Sequence, residues 1–138
     1  LDSDFSLKYF ISQLKSRRPI KLVLLDQSRF AGIGNIYAND SLFLARIHPL
    51  APANRLSSSQ AKELYQSVLE VINQALSHQG STAADGKYLL PDGSKGSHQY
   101  YFQVYQRAGE PCPVCSASLS RIVLGGRGTF FCPQCQKL

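Results

Sequence analysis

At 138 residues and 43% hydrophobic, the chain can bury one core, or one helical unit with a small appendage. Its formal net charge of +6 and pI of about 9.3 suit a polyanionic partner. No apolar run approaches the roughly 18 residues of a membrane span, and the acidic start "LDSDFSLKYF" lacks the basic segment of a secretory signal.

The chain contains no methionine, as expected of a fragment, a processed product or a trimmed chain. "DFSLKYFISQLKSRR" (4–18) has helical spacing, with Asp4 as its cap, Lys15, Arg17 and Arg18 at its negative end, and Pro19 as its stop. "IKLVLLDQ" (20–27) reads equally as a buried strand or a short buried helix. "NIYANDSLFLARI" (35–47) predicts a helix capped by Asn35 and ended by His48-Pro49. The plainest helix covers 57–80, with Ser57 and Gln60 as a capping box. Apolar residues at Ala61, Leu64, Tyr65, Val68, Ile72, Ala75 and Leu76 line one side, and Gly80 stops it. A Gly-, Ser- and Asp-rich loop follows at 81–99, and "YYFQVYQR" (100–107) has the composition of a strand.

The four cysteines form two C-x-x-C knuckles, Cys112/Cys115 and Cys132/Cys135, sixteen residues apart. This spacing suits one tetrahedral Zn²⁺ held by four thiolates. Two disulfides would require export, and a redox C-x-x-C needs a βαβ context that the sequence lacks. With all four positions filled by protein, the metal is structural. The linker "SASLSRIVLGGRGTFF" predicts a β-hairpin with Arg127 at its glycine-flanked tip and Arg121 on the incoming strand. Spacing alone leaves Arg127 equally a phosphate contact or a solvated turn residue.

"DQSRFAGIGNIYAND" (26–40) is not a dinucleotide fingerprint, because Tyr37 occupies the position of the third small residue. It still sets glycines before a helix start, where free N–H groups and the helix dipole favour an anion. One phosphate held with the help of Asn35 is one reading; a plain capped turn is the other.

Three motifs in order, "IKLVLLDQSRFAGIGNIYAN", "FQVYQRAGEPCPVC" and "GGRGTFFCPQC", closely resemble the C-terminal half of bacterial formamidopyrimidine-DNA glycosylases. The resemblance implies a mainly α fold. A helix–two-turns–helix domain would occupy 1–106, with a flexible lesion loop near 81–99, and a β-hairpin zinc finger would occupy 107–138. It implies that Asn35 and the Ile36 N–H grip DNA backbone beside the damaged nucleotide. Lys21 would lie near that backbone, Arg127 and Tyr105 would touch it, and Gly96 and Ser97 would belong to the loop that closes over the flipped base. The partner implied is duplex DNA with an oxidised purine or an abasic site, met by a monomer in the bacterial cytoplasm at the nucleoid. The family's nucleophile is an N-terminal proline amine, so no catalytic residue is expected in this chain. The chain departs from the family pattern at Gln106, where glycine is usual, and at His98. The rival reading is a stand-alone zinc-dependent nucleic-acid-binding module without enzymatic role.

Overall fold

The computed structural model describes residues 5–77 and 102–138. Asp4, Gly80 and the loop at 81–99 with Gly96 and Ser97 lie outside the described residues. Chain order is α1 (Leu7–Ser12), α2 (Ile20–Leu25), α3 (Asn35–Leu44), a 3-10 turn (Ala53–Arg55), α4 (Ser58–Ser77), then strands β1 (Ser120–Leu124) and β2 (Arg127–Phe131).

α1 is shorter than the 4–18 helix that the spacing predicts. Ser6 caps it by accepting from the Tyr9 N–H at 3.1 Å. It ends where the Gln13 carbonyl turns away to accept from Arg29 Nη1 at 2.9 Å. Lys15, Arg17 and Arg18 therefore lie beyond its last turn. The ambiguous run 20–27 resolves as the short helix α2, which buries Ile20, Lys21, Val23 and Leu24. α4 carries the capping box that its sequence predicts: the Gln60 side chain accepts from the Ser57 N–H at 2.9 Å, and Ser57 Oγ accepts from the Gln60 N–H at 3.1 Å. Its buried stripe includes Val71 and leaves Leu76 71% exposed.

Two apolar clusters result. The first joins α1, α2, α3 and α4 through Phe10, Ile20, Leu24, Leu42, Leu64 and Val68, with Phe30 and Ile33 of the intervening turn. Aromatic rings stiffen it: Phe10 and Phe30 are 5.1 Å apart, and Phe5 stacks on Tyr65 at 5.2 Å. The second cluster joins Phe43 of α3 to Val104, Cys112, Leu119, Phe130 and Cys132.

Residues 102–107 do not form the strand that their composition suggests. Three successive N–H groups, of Gln103, Val104 and Tyr105, donate to one carboxylate, that of Asp40. A strand sends alternate groups to opposite sides, so this convergence bends the chain into a turn. The next residue, Gln106, adopts φ +59°.

β1 and β2 pair antiparallel, with Leu124 opposite Arg127. Gly125 and Gly126 alone make the turn, at φ +61° and +76°. A two-residue hairpin turn of this hand needs positive φ at both positions, which glycine adopts at little cost. Gly125 also packs closely on α2: an added Cβ would come within 2.6 Å of the Leu22 methyl, which would have to shift. The hairpin tip thus lies directly on the helical unit.

Candidate nucleic-acid interface

The glycine turn is braced by its own polar residues. Asp26 accepts from the N–H and the hydroxyl of Ser28. Gln27 accepts from the Gly32 N–H at 3.2 Å and donates to the Ile33 carbonyl at 3.0 Å. Gly32 takes φ +98°, a conformation costly for any other residue. Gly34, not Asn35, is the N-cap of α3, and no side chain caps this helix. Asn35 instead occupies the first helical position and sends its amide across to the hairpin. The N–H groups of Asn35, Ile36 and Tyr37 have no acceptor among the described residues, as expected of an uncapped first turn.

Three side chains converge on the Gly128 carbonyl of β2. Asn35 Nδ2 donates to it at 3.1 Å, Lys21 Nζ at 3.2 Å and Asn39 Nδ2 at 3.4 Å. Lys21 Nζ also donates to Thr129 Oγ1 at 2.6 Å, and Asn39 Oδ1 accepts from the Phe130 N–H at 2.7 Å. Lys21 is fully buried. Its ammonium therefore meets the hairpin backbone from inside and does not reach the surface. Burial, followed by the charge of Arg127, lowers the Lys21 pKa to about 8.

Arg127 sits one residue before the shared carbonyl. It is exposed and has no acidic partner among the described residues. Other cations in the turn region are engaged: Asp26 lies 3.7 Å from Arg18 and 3.3 Å from Arg29. The uncapped start of α3 and the free guanidinium of Arg127 are thus joined through one peptide unit. Arg121, on β1, lies over the Phe130 ring at 5.8 Å.

Tyr105 is half-buried, edge-on to Phe102 and to Phe130, each at 5.5 Å. Its N–H reaches Asp40 Oδ1 at 3.2 Å, beside the Val104 and Gln103 donors at 3.1 Å. Burial raises the Asp40 pKa to about 6; the three N–H donors and the Arg107 charge only partly offset it.

The four sulfurs of Cys112, Cys115, Cys132 and Cys135 lie within 4.8 Å of one another. The nearest pairs, at 3.4 and 3.9 Å, are well beyond a disulfide bond of about 2.05 Å. The Val114 and Cys135 N–H groups donate to Cys112 Sγ and Cys132 Sγ, each at 3.4 Å, an arrangement that favours thiolates. Burial, and then hydrogen bonding with Cys115, pushes the Cys135 thiol up to about 12. The cluster cannot gather four negative charges unaided, so a divalent cation is what this donor set fits. Gln136 is fully buried and fastens the second knuckle to the helices, accepting from the Cys132 N–H at 2.8 Å and donating to the Ile47 carbonyl at 3.0 Å.

Residues 1–86 match the model of the formamidopyrimidine-DNA glycosylase H2TH domain. The chain belongs to the formamidopyrimidine-DNA glycosylase family. Residues 109–138 match the zinc finger found in FPG and IleRS, which together with the clustered sulfurs assigns one structural Zn²⁺. The chain is 47% identical over 137 residues to the formamidopyrimidine-DNA glycosylase of Chloroflexus aurantiacus, covering 99% of itself and 49% of that protein. It superposes on the MutM (Fpg) protein of Thermus thermophilus with a TM-score of 0.89 at 45% identity, over 99% of this chain and 52% of that one. A Lactococcus lactis Fpg complexed with DNA containing an abasic site gives a TM-score of 0.89 at 40% identity, over 100% and 50%. The chain thus spans about half the length of the relatives it matches.

Among the residues that resemblance to the family singles out, Lys21 and Asn35 meet at the Gly128 carbonyl, Arg127 precedes it and Ile36 follows Asn35 in sequence, and Tyr105 packs on Phe130. Sequence reasoning missed Asn39, Asp40, Thr129 and Gln136, all buried and polar. A signal was present: "Asn-Asp-Ser" stands in the middle of an otherwise apolar helix, where polar residues need a specific partner.

Proposed function

We propose that the chain is the DNA-binding C-terminal part of a base-excision-repair glycosylase that removes oxidised purines and cleaves the abasic strand. Its own task is to grip the duplex by its backbone. The observation that carries this is the junction at Gly128, which ties together three helix N–H groups and an exposed arginine, none of them partnered among the described residues. Both are donors suited to phosphate oxygens, and neither reads base sequence. An added Cβ at Gly34 would meet nothing within 4 Å, so protein packing does not demand glycine there. Open space on this side lets a sugar-phosphate backbone approach the main chain.

In this reading the helices act as a helix–two-turns–helix unit within residues 1–106, and residues 107–138 act as the zinc finger. Asn35 and the Ile36 N–H hold one phosphate, while Arg127 and Tyr105 hold the backbone nearby. Lys21 acts from behind, fixing the peptide after Arg127 and adding positive potential. The protein works as a monomer on damaged duplex DNA, in the bacterial cytoplasm at the nucleoid. No residue of this chain supplies the nucleophile, so the 138 residues bind without excising. Borohydride trapping on an abasic duplex should then give no adduct at the level of an intact enzyme.

The test of the grip is duplex affinity measured across a salt series. Arg127→Ala is expected to weaken binding and reduce the salt slope by about one unit, because one cation no longer displaces a counterion. An unchanged slope and affinity would remove Arg127 from the interface and, with it, the reading.

A further inference from the structure

We propose that Asp40 is a positioning residue for the nucleic-acid contact of Tyr105, holding the 103–105 turn against α3 so that Tyr105 and the Asn35 turn meet one backbone as a rigid unit. The inference rests on the DNA-binding reading above. It adds a residue that touches no DNA and that neither motif nor composition assigns.

The carboxylate is 2% exposed and spends itself on backbone. Gln103 N–H donates to Oδ2, and Val104 and Tyr105 N–H donate to Oδ1. A buried carboxylate is costly unless its lone pairs are used, and three donors in succession use them. Such a hub fixes direction as well as distance. The backbone of Tyr105 cannot slide or rotate relative to α3 without breaking a charge-assisted bond. Arg107 closes the other side, donating through Nη1 to the Phe102 carbonyl at 3.0 Å and through Nε to Glu110 at 3.0 Å.

The residue before Asp40 does the same for the hairpin. Asn39 accepts from the Phe130 N–H at 2.7 Å, and Phe130 is the ring on which Tyr105 rests. Two consecutive side chains of α3 therefore hold two different segments, and those segments hold each other. One turn upstream, the same helix begins with Asn35. The spacing between Asn35 and Tyr105 is thus set by α3 through Asp40. A backbone contact needs its donors fixed to within a few tenths of an ångström, and residues with locked supports meet that demand.

The experiment is a double-mutant cycle on duplex affinity with the zinc-loaded chain, using Asp40→Asn, Tyr105→Ala, the pair, and Arg127→Ala with and without Asp40→Asn. Asp40→Asn keeps the shape but sets an amide N–H₂ against one of the three donors. It is expected to weaken binding about fivefold, the worth of one hydrogen bond, with an unchanged salt slope. In the Tyr105→Ala background the same change should add nothing, whereas its effect should add in full to that of Arg127→Ala. A merely structural Asp40 would weaken binding equally in every background. If Asp40→Asn does not fold, Asp40→Glu poses the same question, because the carboxylate moves by one methylene and the turn shifts with it. Wild-type affinity for the Asp40 variant that folds, or full additivity with Tyr105→Ala, overturns the inference alone. If Arg127→Ala also binds as wild type, the DNA-binding reading itself falls.

Discussion

In the helical core, Phe10, Phe30, Ile33 and Leu64 are buried among other apolar side chains. At the seam with the hairpin, Lys21, Asn39, Asp40, Thr129 and Gln136 are buried just as deeply. The two regions stabilise differently. Each large apolar side chain in the core contributes about 1.5–3 kcal/mol by leaving water, with little dependence on direction. Each seam hydrogen bond contributes only about 1 kcal/mol net, yet fails if its partner shifts by about half an ångström. The core keeps the chain folded; the seam keeps Asn35 and Arg127 at a fixed separation.

Removing the metal should separate the two regions most sharply. Structural zinc binds finger peptides with about 10–16 kcal/mol of apparent free energy at neutral pH, more than a two-stranded hairpin supplies by itself. Chelation, or Cys132→Ser, is expected to abolish the dispersed amide resonances of 120–131 while those of α4 persist. Among the described residues the first apolar cluster contains none beyond Ile72, and so none of the finger. Survival of the hairpin resonances in metal-free protein would show that the seam alone can hold it.

A smaller effect probes the seam's buried cation. The folded-state pKa of Lys21 is lowered from 10.5 to about 8. Between those values the unfolded chain carries a proton that the native chain lacks. Stability should therefore rise with pH from about 8 to 10.5, by up to about 3 kcal/mol. Lys21→Met removes the titration and keeps the aliphatic stem. Urea midpoints of both proteins across this range isolate the contribution, since thiol and tyrosine titrations are common to them. Parallel curves would mean that the ammonium is better solvated than its burial implies.

The difference between the regions also explains what the sequence makes legible. The α4 stripe, its capping box, the Gly125-Gly126 turn and the cysteine knuckles are local patterns, each written within a few dozen residues. The seam is not local. Lys21 meets Thr129, Asn39 meets Phe130, and Asp40 meets Tyr105 over separations of 65 to 108 residues. Nothing in the spacing of Asp40 announces three donors 63 to 65 residues away, so "YYFQVYQR" reads as a strand from its β-branched and aromatic content. The cap of α3 departs from expectation for a related reason. Asn is a good cap by propensity, but the Asn35 amide is committed to Gly128 and the cap falls to Gly34.

That commitment sharpens the expected effect of Asn35→Ala. Lys21 and Asn39 still serve the Gly128 carbonyl when Asn35 is removed, and no cap is lost. Thermal stability should change little. Duplex affinity should fall by about 1 kcal/mol with an unchanged salt slope, because a neutral amide displaces no counterion. Wild-type affinity in a folded Asn35→Ala protein would make the turn a plain helix connection, whatever Arg127 does.

The smallest expected effect lies at the edge of the seam, at Gln106. Gln106 takes φ +59° immediately after the turn held by Asp40, in the left-handed region that disfavours any residue with a Cβ. Such a conformation costs about 1 kcal/mol for an L-residue, and glycine avoids it. Glycine also gives the unfolded chain more freedom, which offsets part of that gain. Gln106→Gly is therefore expected to raise stability by about 0.5 kcal/mol, read as a shift in urea midpoint at constant slope. The side chain is exposed and has no hydrogen-bond partner among the described residues, so nothing else is lost. The core contributes nothing to this change, since only backbone strain beside the seam is relieved. A destabilised Gln106→Gly protein would mean that the turn depends on the stiffness of residue 106, and that the Asp40 carboxylate alone does not fix Tyr105.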